Sequence, residues 1–139
     1  MVILDTNVLS ELMRPVPEQV VAAWADSQPR RSLYTATIVQ AEILAGVATL
    51  PKGQRRQLLE QRVRAIFDEV LSDRVLPISE GAAKCYAQIY AVRRDLGRPI
   101  SMPDGFIAAV AMEHGATIAT RDTGGFEGLG LQLINPWRA

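Results

Sequence analysis

Short apolar runs alternate with helix-forming stretches along the whole chain, and no run shows the in–out alternation of a half-buried strand. Val2–Leu4, Ser32–Thr35, Arg74–Ile78 and Ala116–Thr120 read as strands, with Leu131–Ile134 a candidate fifth. Between them, Val8–Met13 reads as a short helix closed by Arg14-Pro15-Val16-Pro17. Glu18–Ser27 follows, with Val20, Val21 and Trp24 on one face. Thr37 to Gln40 has capping-box spacing and opens a helix to about Leu50. After the turn at Pro51-Lys52-Gly53, Gln54–Leu71 is a long amphipathic helix. Ser79 caps a helix to about Leu96 that ends at Gly97, and Ser101 precedes one over Pro103–His114 that ends at Gly115. Apolar strands joined by helices require both sheet faces to be covered. The expected fold is therefore α/β: three α/β/α layers around a short central parallel sheet of four or five strands.

The chain has 139 residues, which is one domain with enough volume for its own core. Apolar residues make up 48% and charged residues 22%, excluding a disordered or collagen-like chain. A lone Cys85 excludes a disulfide scaffold and fits a reducing compartment. No apolar run reaches the length of a membrane span, and Asp5 interrupts what a signal peptide would need as an unbroken apolar core. The expected location is cytoplasmic. The 15 basic and 15 acidic residues cancel, which taken alone argues against a nucleic-acid partner.

Four carboxylates are placed at one rim by this topology. Sites in open α/β sheets form beyond the carboxyl ends of the strands. Asp5 directly follows the first strand and Asp122 the fourth. Crossover helices run back against the strands, so their N-terminal ends lie at the same rim. Asp104 is in the first turn of its helix and Glu42 in the second turn of another. Singly, each Asp has a plainer role: Asp5 as a turn or cap residue, Asp104 as half of a Ser101-x-x-Asp104 capping box, Asp122 as the start of a turn. Glu42 is harder to dismiss, because on a helical wheel it falls about 40° from Ile38, inside the apolar arc. Gly105–Met112 carries no polar side chain, so Asp104 leads a helix expected to be buried all round.

Crowded carboxylates stay ionised only beside compensating cations, and Arg121 alone cannot balance four of them. An all-oxygen site suits Mg²⁺ or Mn²⁺, with Thr6, Asn7 and Thr120 as neutral supporting groups. Competing chemistries are poorly supported. There is no P-loop and no Gly-x-Ser-x-Gly. His114 is the only histidine and reads as a helix-end residue; Cys85 reads as core. Asn7 stands where a haloacid-dehalogenase phosphatase has its second Asp.

The whole pattern resembles a PIN domain. The residues that carry the likeness are Val2-Ile-Leu-Asp5-Thr-Asn7, Glu42 within Ile-Val-Gln-Ala-Glu-Ile-Leu-Ala-Gly, Pro103-Asp104-Gly-Phe-Ile-Ala-Ala and Ala119-Thr-Arg-Asp122-Thr-Gly. Within that family the likeness is to VapC-type toxins of bacterial toxin–antitoxin pairs, in the FitB-like group, to which Arg14-Pro15 and Asn135-Pro136-Trp137 also point. The resemblance implies a metal-dependent endoribonuclease toxin with Asp5, Glu42, Asp104 and Asp122 as metal-binding, catalytic acids, supported by Thr6, Asn7 and Thr120. It further implies a homodimer, higher toxin–antitoxin assemblies, and a small DNA-binding antitoxin through which alone operator DNA is reached. Met102-Pro103 departs from the small residues common before that Asp, and Pro is acceptable in a first helical turn. Two other readings are a different metal-dependent phosphoesterase, such as a DNA nuclease, and a catalytically silent PIN-fold binding module.

Thirteen of the 15 basic residues are Arg. Arg55, Arg56, Arg62 and Arg64 cluster on one helix, either as a solvated face or as phosphate contacts, with Arg55, Arg56 and Arg121 as candidate substrate-binding residues. Arg93, Arg94 and Arg98 form a second group. Without the four proposed ligands the balance is 15 basic to 11 acidic, a body of +4 around an acidic pocket. Net neutrality is thus compatible with an RNA substrate bound more tightly when metal is present.

Overall fold

The structure, a computed structural model, describes residues 1–139. Five strands form one parallel sheet: β1 (Val2–Leu4), β2 (Leu33–Ala36), β3 (Val75–Leu76), β4 (Thr117–Ala119) and β5 (Leu133–Ile134), in the order β3-β2-β1-β4-β5. Six helices flank it: α1 (Thr6–Leu12), α2 (Gln19–Ser27), α3 (Thr37–Ala48), α4 (Gln54–Arg64), α5 (Glu80–Asp95) and α6 (Met102–His114). The central strands are buried, with Ile3, Leu4, Ile118 and Ala119 at 2% exposure or less, so both sheet faces are covered as the lack of alternation requires. No helix is long and apolar enough to cross a membrane.

The strand order reverses direction at β1, with β2 and β3 on one side and β4 and β5 on the other. The crevice between β1 and β4 is therefore the topological switch point, where ligands bind in open α/β sheets. Leu4 is in register with Ala119, and the Asp5 amide donates to the Ala119 carbonyl at 3.0 Å. Asp5 and Thr120 are thereby held side by side at the carboxyl end of this pair.

Several boundaries differ from those expected, each for a local reason. α1 starts at Thr6 because the Asp5 carboxylate accepts from the Thr6 amide at 2.7 Å and caps the helix as the strand ends. Thr37 is the first residue of α3 and not its cap; Ala36 occupies the cap position and makes no side-chain bond, so the capping-box spacing has no capping role. The helix expected over 54–71 keeps α geometry only to Arg64 and continues as a π-helical turn over Ala65–Val70, where the Leu71 amide donates to the Ile66 carbonyl at 2.8 Å. That wider turn brings Phe67 and Leu71 onto the buried side with Val63. β3 and β5 are shorter than expected, at two residues each. Cys85 is only half-buried, packed at the edge of the core.

α6 is buried nearly all round, as its sequence requires. It packs closely on α5 at Gly105, where a Cβ would lie 2.7 Å from the Tyr86 ring. Tyr86 also stacks on Phe106 with ring centroids 4.3 Å apart. This close approach fixes the height of Asp104, one residue earlier, at the rim.

Candidate active site

Asp5 is the anchor of the site. It is 4% exposed, and its two oxygens are held by three hydrogen bonds. Oδ1 accepts from the Thr6 amide, and Oδ2 accepts from the Thr120 hydroxyl at 2.7 Å and from Asn7 Nδ2 at 3.3 Å. Thr120, fully buried at the end of β4, is a hub: while donating to Asp5 it accepts from the Asp122 amide at 3.0 Å and from Asn7 Nδ2 at 3.4 Å. Asn7 Oδ1 in turn accepts from the Arg121 amide at 3.2 Å. Two of the three neutral side chains named from the sequence, Asn7 and Thr120, thus tie the ends of β1 and β4 together. Thr6 serves the other side, its hydroxyl donating to Glu42 Oε1 at 2.8 Å.

The other carboxylates reach the same rim by different routes. Ser101 caps α6 by accepting from the Asp104 amide at 3.3 Å, so Asp104 sits half-buried in the first turn. Asp122 precedes a 3-10 turn over Thr123–Phe126 and caps it, Oδ1 accepting from the Gly125 amide at 3.1 Å. A Cβ on Gly125 would stand 2.6 Å from Asp122 Oδ2, so only glycine leaves the carboxylate its place. The plain capping roles are therefore real for Asp5 and Asp122, and they coexist with the rim position. Glu42 corrects an expectation. Its place within the apolar arc of α3 pointed to burial, yet it is exposed. The buried stripe of α3 is Val39, Ile43 and Val47, and the helix is also apolar on its outer side, where Leu44 is 49% exposed. Glu42 lies at the edge of that stripe, facing a groove.

Electrostatics unite the four. Burial pushes the Asp5 carboxyl above its usual range, and the charges of Glu42 and Asp122 push it further, against the hydrogen bonds from Thr120 and Thr6. Asp104 is raised in the same way, first by burial, then by the charges of Asp5 and Asp122. Each of these two carboxylates therefore feels two of its acidic neighbours. The donor set is all oxygen and lacks a neutralising cation in direct contact. No three of the carboxylates close on one point tightly enough to ligate a single ion directly. All-oxygen donors suit a hard divalent cation such as Mg²⁺, which keeps several of its waters and takes one or two carboxylates in direct contact. Asp5 keeps a free lone pair on Oδ1, since three of its roughly four acceptor positions are used.

A groove of about 630 Å³ opens beside Thr6 and Glu42 and runs between α1, α3 and α4. Its floor is apolar, with Met13, Ile43 and Val47, and its far wall carries Arg55, Leu58 and Arg62. Of the two arginines named from the sequence on α4, Arg55 faces this groove. Arg56 does not: its Nε donates to Glu60 Oε1 at 2.9 Å and its guanidinium to the Leu50 carbonyl at 3.3 Å, closing the turn between α3 and α4. Arg121 lies over the Trp137 ring, 4.8 Å from its centroid. His114 pairs with Glu113 at 3.2 Å at the far end of α6. The sequence marks the turn Asp122-Thr123-Gly124-Gly125 but gives no sign of the roles of Glu11 and Arg93. Buried Glu11 accepts from Arg14 at 3.1 Å and from the Glu18 amide at 3.0 Å, joining α1 to α2.

A five-stranded parallel sheet with carboxylates gathered at its switch point defines a PIN-type α/β domain, and the PIN domain family model matches residues 2–130. The chain belongs to the PIN domain family. It is 43% identical to VapC ribonuclease Y4jK of Sinorhizobium fredii over 99% of this chain and 98% of that one. It is 41% identical to toxin FitB of Neisseria gonorrhoeae, over 99% of each chain. Among solved structures it matches FitAB bound to an IR36 DNA fragment, with a TM-score of 0.92 and 41% identity over 99% of this chain and 96% of that one.

Proposed function

We propose that this chain, acting as one domain over residues 1–139, is a metal-dependent endoribonuclease toxin of a toxin–antitoxin pair. The observation that carries this reading is the mutual repulsion of Asp5, Asp104, Asp122 and Glu42 at the β1–β4 switch point, in a chain similar over its length to a VapC ribonuclease. Asp5 feels the charges of Glu42 and Asp122, and Asp104 those of Asp5 and Asp122, and such crowding of negative charge costs stability unless a cation offsets it. Asp5, Glu42, Asp104 and Asp122 would hold Mg²⁺, or Mn²⁺ in its place, directly or through water. When bound, such an ion lowers the pKa of a coordinated water and neutralises charge on a scissile phosphodiester. The chain's own part is to orient these groups. Thr120 and Asn7 fix the rotamer of Asp5, and Thr6 fixes Glu42. Arg55 and Arg62 would meet RNA phosphates along the groove, and Arg121, held on Trp137, would meet them at the rim.

The match to FitAB bound to a DNA fragment supports a small DNA-binding antitoxin as partner, with operator DNA reached through it; the same proposal includes a homodimeric toxin within a larger assembly in the cytoplasm. The test is cleavage of single-stranded RNA and matched DNA in Mg²⁺ and in EDTA, by the native chain and by Asp5→Asn. The expected result is Mg²⁺-dependent RNA cleavage that falls at least about a hundredfold in the variant, the loss of several kcal/mol of transition-state stabilisation. Equal cleavage by a folded Asp5→Asn protein refutes the reading.

A further inference from the structure

Arg93 is the one Lys or Arg side chain that is buried, at 4% exposure in the last turn of α5. Its three hydrogen bonds all go to backbone carbonyls: Nε donates to Arg98 O at 2.7 Å, and the guanidinium to Glu127 O at 3.0 Å and Gly124 O at 3.4 Å. Burying a guanidinium without a carboxylate in contact is costly, and Arg cannot shed its proton to escape that cost. The charge must be balanced at longer range, and Asp104 lies within its field.

Two of the three carbonyls Arg93 binds belong to the segment that carries Asp122. Gly124 lies within the 3-10 turn that Asp122 caps, and Glu127 directly follows it. Exposed Arg98 grips the same turn from outside, donating to Glu127 Oε2 at 2.6 Å and to Gly124 O at 3.3 Å. Phe126, 1% exposed, plugs the turn into the core between them. The two arginines thus fix the peptide units that determine where the Asp122 carboxylate stands.

We propose that Arg93 is a positioning residue for the acidic centre, holding the 122–127 turn so that the Asp122 carboxylate stands at the rim with the other acids. This rests on the metal-dependent reading above. A staple that only stabilised the fold would have no reason to act on cation affinity, so metal binding separates the two roles.

The experiment measures Mn²⁺ binding by titration calorimetry on the native chain, Arg93→Gln and Arg98→Gln, with circular dichroism as the check on folding. Steady-state cleavage is measured alongside across a Mg²⁺ series. Folded Arg93→Gln is expected to bind Mn²⁺ about tenfold more weakly, as for other groups that orient metal ligands. Its Mg²⁺ midpoint should rise in step, with KM for RNA at saturating Mg²⁺ unchanged. Arg98→Gln, altered only at an exposed side chain, should show a smaller loss in the same direction and carries the test if Arg93→Gln does not fold. A native chain that binds Mn²⁺ together with folded variants of unchanged affinity overturns the assignment of Arg93 alone. A native chain that binds no Mn²⁺ overturns the metal-dependent reading and this inference with it.

Discussion

The Thr120 hydroxyl donates to Asp5 Oδ2 at 2.7 Å, joining the ends of two neighbouring parallel strands through side chains 115 residues apart in sequence. Because the same oxygen accepts from the Asp122 amide, one hydroxyl sets both the rotamer of the buried acid and the start of the turn that carries another. Thr120→Val keeps the shape and removes the hydroxyl, leaving the Asp122 amide and one Asp5 oxygen short of a partner. We expect the variant to fold, to bind Mn²⁺ about tenfold more weakly and to cleave RNA correspondingly less at limiting Mg²⁺. Thr120→Ser should restore most of the affinity. Calorimetry on the three proteins decides it, and a Val variant with native affinity would assign the bond to packing alone.

Gly125 is required by the carboxylate it faces. A methyl there would meet Asp122 Oδ2 at 2.6 Å, so Gly125→Ala forces the carboxylate out of its cap or shifts the turn. The turn lies at the surface beyond β4, so the core should survive, with thermal unfolding within a few degrees of native. Cleavage should fall about tenfold at limiting Mg²⁺ and recover in part as Mg²⁺ is raised. Full activity at all Mg²⁺ concentrations would show that Asp122 is placed by something other than this turn.

Much of this site is legible in the chain, because the ends of apolar strands and the first turns of helices are marked by local pattern. Asp5, Asp104 and Asp122 sit where those marks place them. Glu42 is identified through an arc argument whose physical content differs: α3 is apolar on both sides and half of it faces solvent, so lying inside the arc does not mean burial. Arg55 and Arg56 are neighbours in sequence but about 100° apart on the helix, which turns one toward the groove and the other toward Glu60. Arg93 gives no local sign of burial. Its distant acceptors lie 31 and 34 residues ahead and are carbonyls, which every residue type carries. The π-helical turn after Arg64 is likewise set by tertiary packing of Phe67 and Leu71, since the apolar spacing suits an uninterrupted α-helix equally well.

The raised carboxyls make the metal-free protein sensitive to pH in a defined direction. Asp5 and Asp104 both titrate higher when folded than the ordinary 3.8, so folding favours their protonated forms. Their contribution to stability is fully present below that unfolded value and is lost as pH rises through the raised folded values. In EDTA, the melting temperature should therefore fall as pH rises above the ordinary 3.8 of these carboxyls, against the usual trend for ion-paired acids. Saturating Mg²⁺ should reverse this at pH 7, adding about 2.7 kcal/mol at a hundred times its dissociation constant. Asp104→Asn should flatten the EDTA profile. Differential scanning calorimetry at two pH values, with and without Mg²⁺, tests all of these, and a metal-free protein that gains stability up to pH 7 would count against the coupling of the acids.

The two faces of α4 separate substrate binding from stability. Arg55 and Arg62 line the groove that starts at Thr6 and Glu42, and neither is engaged in an ion pair there. Arg56 is committed to Glu60 and the Leu50 carbonyl. Neutralising the first two should weaken RNA binding with little change in the chemical step, because a phosphate held at a distance from the scissile bond is bound equally in ground and transition states. We expect Arg55→Gln and Arg62→Gln each to raise KM several-fold with kcat nearly unchanged. Each should also flatten the dependence of log affinity on log salt by about 0.7, the value of one phosphate contact on a single strand. Arg56→Gln should leave both KM and the salt slope alone and lower the melting temperature, since it opens the turn between α3 and α4. Fluorescence anisotropy in the Asp5→Asn background, where cleavage should be suppressed, gives the slopes directly. An unchanged slope in both Arg55→Gln and Arg62→Gln would place the RNA path outside this groove.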